Sequence, residues 1–133
     1  LFLARHCARV TGAEIVPAAV KDAQATAALN AIGNVAFKAG DLKDLLDAAF
    51  VARHGKPDVL VTDPPRAGMH AAEEARILEM ATAEVGYVSC TPATQARDLG
   101  LLKQDYRITH IQPLDMFPQT AHVENVVRLE RIG

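Results

Sequence analysis

Between residues 10 and 102 the chain switches four times from a strand-length apolar run to a stretch of helical length, and it then closes with two strand-like runs in succession. Residues 10–16 predict a strand, and Pro17 suits the first turn of a helix over 17–29, with Gly33 inside the stop that follows. Residues 35–39 predict a second strand, closed by Gly40-Asp41. Leu42, Leu45, Leu46, Ala49 and Phe50 recur at three- and four-residue intervals, which predicts one helix ending by Gly55. The unbroken run at 58–62 is the kind expected of a strand covered on both faces. Asp63-Pro64-Pro65 forbids both ladder and helix. A helix over 71–82 leads to the strand that ends in Tyr87-Val88-Ser89-Cys90, and a helix over 93–102 leads to strands at 106–114 and 124–131, separated by a loop. This order predicts an α/β fold with a mostly parallel sheet and one antiparallel strand near an edge.

The 133 residues are one domain's length, half of them apolar and 23% charged, which excludes a disordered chain. The apolar runs are strand-sized, so none spans a bilayer. A net charge of −2 leaves no general electrostatic footprint for nucleic acid, so such binding must rest on a local patch or on sequence outside this chain. Cys7 and Cys90 make no metal spacing, and a reduced intracellular, cytoplasmic protein is the expectation. The opening, Leu1-Phe2-Leu3-Ala4-Arg5-His6-Cys7-Ala8, lacks an initiator methionine and a cleavage pattern. It reads as a helix already under way, in the carboxyl-terminal part of something longer.

In open α/β sheets ligands bind outside the carboxyl ends of the strands, and five candidate residues fall at strand ends. Glu14 stands where an acidic side chain accepts hydrogen bonds from ribose hydroxyls, although a solvated glutamate near a helix start looks the same. Asp41 suits a helix cap or an adenine amino group, and the two roles are compatible. Asp63 is held by two prolines beside the crevice, where a tight turn with no ligand is the plain alternative. Cys90 is a lone cysteine, more often an inert buried thiol, but the amino end of the next helix favours a thiolate there. Glu124, with His122 nearby, opens the last strand, usually a surface position.

Taken together, Asp63-Pro64-Pro65-Arg66-Ala67-Gly68, Tyr87-Val88-Ser89-Cys90-Thr91-Pro92-Ala93-Thr94 with Ala96-Arg97-Asp98-Leu99, and Asp115-Met116-Phe117-Pro118-Gln119-Thr120 with His122-Val123-Glu124 resemble the catalytic domain of the RNA 5-methyluridine methyltransferases. These S-adenosylmethionine-dependent enzymes modify uridines in 23S ribosomal RNA and in tRNA, and the resemblance covers essentially all of residues 1–133. It implies a Rossmann-like class I methyltransferase sheet of which this chain is the carboxyl-terminal portion, lacking the first, central strand. It implies Cys90 as nucleophile, Glu124 as general base, and Glu14, Asp41 and Asp63 lining the S-adenosylmethionine site, with no metal. The partner is RNA, and residues 117–124 look more like the ribosomal branch than the tRNA branch.

Two departures stand out. Thr91 replaces the asparagine that usually follows the cysteine, and the glycine-containing cofactor loop would precede Leu1, as would the iron–sulfur cysteines of some members. Residues 1–133 alone are therefore expected not to bind S-adenosylmethionine tightly. The competing readings are a methyltransferase for amines on nucleic acid or protein, which would have no use for Cys90 and which Arg66 after Asp-Pro-Pro disfavours, and a truncated fragment serving as a folding or interaction module.

Overall fold

The computed structural model describes residues 1–133, which divide into two compact units, Leu1–Phe50 and Val51–Gly133. In the first unit the expected opening helix is a single 3-10 turn, Phe2–Arg5, with only Ala4 buried. Strands β1 (Val10–Glu14) and β2 (Val35–Ala39) pair in parallel, from Val10 opposite Val35 to Glu14 opposite Ala39. Helix α1 (Pro17–Leu29) connects them, opened by its proline and burying Val20 and Ala27.

The single helix expected after Gly40 is two, α2 (Leu42–Leu45) and α3 (Ala48–His54). Leu46 leaves helical geometry at φ −89°, ψ 61°, and the Asp47 carboxylate accepts a hydrogen bond from the Phe50 amide at 2.7 Å. An aspartate that caps the second segment competes with the continuous ladder, so the apolar stripe is present but the helix is not continuous.

In the second unit β3 (Val59–Thr62), β4 (Glu84–Ser89), β5 (Tyr106–Leu114) and β6 (Glu124–Arg131) form one sheet in the order β3-β4-β6-β5. β3 and β4 are parallel, while β6 enters between β4 and β5 and runs antiparallel to both. The single antiparallel strand is thus one place in from the edge. β5 takes the edge itself, where Pro113 is tolerated.

Helices α4 (Ala71–Met80) and α5 (Pro92–Leu102) supply the rest of the core. Val85 and Tyr87 of β4 pair with Leu129 and Val127 of β6, and with Ile77, Leu102 and Tyr106 they are fully or almost fully buried. Each such aliphatic side chain stabilises the fold by about 1.5–3 kcal/mol. One expectation is corrected here. Leu60 is buried, but Val59 and Val61 are each 53% exposed, so β3 is covered on one face and not on two. A continuous apolar run reports tolerance of burial on both sides, and the side facing away from Leu60 has no such cover.

Candidate active site

Each parallel strand delivers its carboxyl end to the same edge of its sheet. In the first unit Glu14 ends β1 and Asp41 follows β2 across Gly40, whose amide donates to the Glu14 carbonyl at 2.9 Å. Gly40 sits at φ +148°, a conformation that L side chains rarely adopt. Glu14 is exposed, and its Oε1 accepts the Val16 amide at 2.9 Å. Asp41 caps α2 through the Lys43 amide at 3.1 Å and lies 3.2 Å from the Lys43 ammonium. Both carboxylates accept hydrogen bonds from the backbone turn that follows them, which fixes their direction at this edge.

In the second unit Asp63, Cys90 and Glu124 stand at the same edge of the four-stranded sheet. Asp63 follows β3 directly and is exposed; Cys90 follows β4 and is half-buried with a free thiol. Glu124 is the first residue of β6. The β4–β6 ladder ends with Ser89 opposite Asn125, so Cys90 and Glu124 are the residues next to its last pair, one on each strand. Residues directly opposite in such a ladder have Cα atoms about 4.5–5.5 Å apart. Two residues 34 positions apart in the chain thereby both adjoin one cross-strand pair. The Cys90 Sγ lies 3.8 Å from the Thr91 hydroxyl, and the Ser89 hydroxyl accepts the Thr91 amide at 3.0 Å, bending the chain from β4 into α5. His122 is exposed in the loop before β6.

Tyr87, Arg97 and Asp98, which stand in the sequence motifs without an assigned role, form a buried polar network behind this edge. Asp98 of α5 is fully buried, and one of its oxygens accepts the Tyr87 hydroxyl at 2.6 Å and the Met69 amide at 2.8 Å. The other takes two hydrogen bonds from the Arg97 guanidinium, at 2.8 and 2.6 Å. Burial pushes the Asp98 carboxyl up, but the donors from Tyr87, Met69 and Arg97 outweigh it and hold the group below the ordinary aspartate value. The adjacent Glu74, buried on α4, goes the other way, raised first by burial and then by the negative charge of Asp98.

The network anchors the segment after Asp63. Arg97 donates to the Ala67 carbonyl at 2.9 Å, Asp98 takes the Met69 amide, and the Thr94 hydroxyl lies 3.1 Å from the Arg66 carbonyl. Gly68 is required between them, since it sits at φ +84° and a Cβ there would stand 2.5 Å from both the Arg97 guanidinium and the Asp98 carboxylate. Gly68→Ala should therefore cost about 1–3 kcal/mol from backbone conformation alone, read as a fall in the chemical-denaturation midpoint. A drop under about 0.5 kcal/mol would mean the segment shifts freely. The missed signal was the spacing of Gln95, Asp98 and Leu102, three and four residues apart on one helix face, all buried.

Residues 1–132 match the sequence profile of the tRNA (uracil-5-)-methyltransferase family. The chain belongs to that family. Among its relatives are proteins named as RNA methyltransferases from Bacteroides thetaiotaomicron, 53% identical over 97% of this chain, and Porphyromonas gingivalis, 54% identical over 98%. In both, the match spans 28% of the relative's own length. The crystal structure of Pyrococcus abyssi tRNA (uracil-54, C5)-methyltransferase in complex with S-adenosyl-L-homocysteine superimposes with a TM-score of 0.81 at 34% identity, covering 96% of this chain and 30% of that one. The α/β methyltransferase fold expected from the sequence is the fold found. No helix is long and apolar enough to cross a membrane.

Proposed function

We propose that this uracil-5-methyltransferase family chain is the carboxyl-terminal portion of a catalytic domain that methylates carbon 5 of uridine in RNA. The observation that carries the reading is that Cys90 and Glu124 both adjoin Ser89 and Asn125, the last cross-strand pair of β4 and β6. Glu14 and Asp41, aligned at the carboxyl edge of β1 and β2, would accept hydrogen bonds from the hydroxyls and amino group of S-adenosylmethionine, with Asp63 at the corresponding edge of β3. Acceptor-only carboxylates match those donors. When bound, that cofactor supplies an electrophilic methyl group.

Carbon 5 of uracil is too weak a nucleophile to take that methyl unaided. The Cys90 thiolate adds to carbon 6, and the displaced π electrons pass to the 4-oxygen as an enolate, making carbon 5 nucleophilic. Once carbon 5 carries the methyl, the Glu124 carboxylate removes its proton, and the released electron pair expels the Cys90 thiolate and restores the double bond. The uridine must leave its stack to reach such a site, which a single-stranded loop makes easier.

We carry ribosomal RNA forward as the substrate, on the strength of residues 117–124, while the solved relative from Pyrococcus is named for uracil-54 of tRNA. Parallel methylation assays of the whole protein on 23S fragments and on tRNA transcripts decide between them. Trapping with 5-fluorouridine RNA tests the chemistry, because fluorine cannot leave as the proton does and a covalent species mapped to Cys90 should accumulate. For the cofactor, Glu14→Ala in the whole protein should raise the S-adenosylmethionine Kd about tenfold or more, as expected for loss of a hydrogen bond to a charged group. Calorimetry showing an unchanged Kd would remove Glu14 from the site.

A further inference from the structure

Gln95 is 1% exposed, and its side chain bridges the two strands that carry the reacting pair. Its amide nitrogen lies 2.9 Å from the Tyr87 carbonyl of β4 and 3.2 Å from the Asn125 carbonyl of β6, donating to both, and its Oε1 accepts the Asn125 side-chain amide at 2.7 Å. Asn125 is the residue after Glu124, and Ser89, its ladder partner, is the residue before Cys90. The β4–β6 ladder stops at that pair, so nothing in the ladder itself fixes the next step, where Cys90 and Glu124 lie. On one side β6 is backed by β5, with Leu114 opposite Glu124, and on the other Cys90 leads into α5. The side chain of Gln95 bonds to both strands within the last three pairs of the ladder, beside the end that Cys90 and Glu124 adjoin.

We infer that Gln95 and Asn125 form a clamp that sets the reach from the Cys90 sulfur to the Glu124 carboxylate, a pair of positioning residues for removal of the carbon 5 proton. This deepens the uridine reading and rests on it. A sulfur bonded to carbon 6 and a carboxylate reaching the proton on the adjacent carbon tolerate little error in separation, and a misplacement of about 1 Å can cost on the order of 100-fold. Addition of Cys90 needs only the sulfur at the ring; proton removal needs both strand ends in register. Loosening the clamp therefore acts on release and spares addition.

The test uses the whole protein with uridine RNA and methyl-labelled cofactor in single-turnover experiments that separate methyl incorporation from the covalent protein–RNA species on denaturing gels. Asn125→Ala should leave the rate of methyl incorporation within about threefold of the parent and slow release of the methylated adduct about tenfold or more. Gln95→Leu, which removes all three bonds, should slow release further. Asn125 is half-exposed, so its variant keeps the test in hand if Gln95→Leu does not fold. Unchanged release in folded Asn125→Ala, or incorporation and release falling together in proportion, overturns the clamp. If the parent itself forms no species with 5-fluorouridine RNA, the uridine-C5 reading fails and takes the clamp with it, whereas a trapped parent with normally releasing variants sinks the clamp alone.

Discussion

Cys90→Ala in the whole protein should abolish the covalent species with 5-fluorouridine RNA and lower methyl transfer by at least about 1,000-fold, the scale on which removal of a nucleophile is felt. Cys7, the other cysteine of residues 1–133, lies in the turn before β1. The companion variant separates two roles. Glu124→Gln keeps the shape of the side chain and its place at the start of β6 but removes the base, so the methyl should still be transferred once while release slows by about 100- to 10,000-fold. The two variants therefore differ in kind: one leaves RNA unbound to protein and unmethylated, the other leaves it bound and methylated. Methyl transfer that survives in Cys90→Ala would instead favour an amine-directed enzyme, for which the cysteine has no task.

The strand ends were legible because each parallel strand is a short apolar run that stops at a residue of different character: Glu14, Gly40-Asp41, Asp63 or Cys90. Carboxyl ends of parallel strands share an edge, and the pairing shows this for Glu14 with Asp41 and for Asp63 with Cys90. Glu124 was different. Its nearness to Cys90 depends on β6 entering beside β4, ahead of β5, and neither strand's periodicity records which neighbour it will choose. What the sequence does not disclose is the burial of polar residues on a helix face. Gln95 and Asp98 look like ordinary solvent-facing positions of an amphipathic helix until the Tyr87 hydroxyl and the Asn125 amide are seen to satisfy them. Asp47 escaped for the related reason that a single capping side chain splits a helix without disturbing its apolar stripe.

Asp98→Ala should be among the most damaging changes in the second unit, costing about 3–5 kcal/mol in denaturant unfolding. The substitution leaves the buried Tyr87 hydroxyl and Met69 amide without an acceptor and frees the Arg97 guanidinium that also holds the Ala67 carbonyl. Asp98→Asn discriminates shape from charge: it fills the same volume but presents one acceptor oxygen where the carboxylate presents two, so it should recover less than half of the loss. The pH dependence has a definite sign. Because Asp98 is held below 3.8 in the folded state, its stabilisation is present above that value and is lost as pH falls through the lower, folded-state value. Glu74 is raised above 4.5, so its contribution is present below 4.5 and is lost as pH rises through its folded-state value. Glu74→Gln should therefore raise the melting temperature at pH 7 to 8 and change it little at pH 4, while Asp98→Asn should lower it at pH 7 and converge on the parent in strong acid. Parallel melting curves across that range, with the two variants moving in the same direction at neutral pH, would show that the two carboxyl groups are not opposed as their surroundings require.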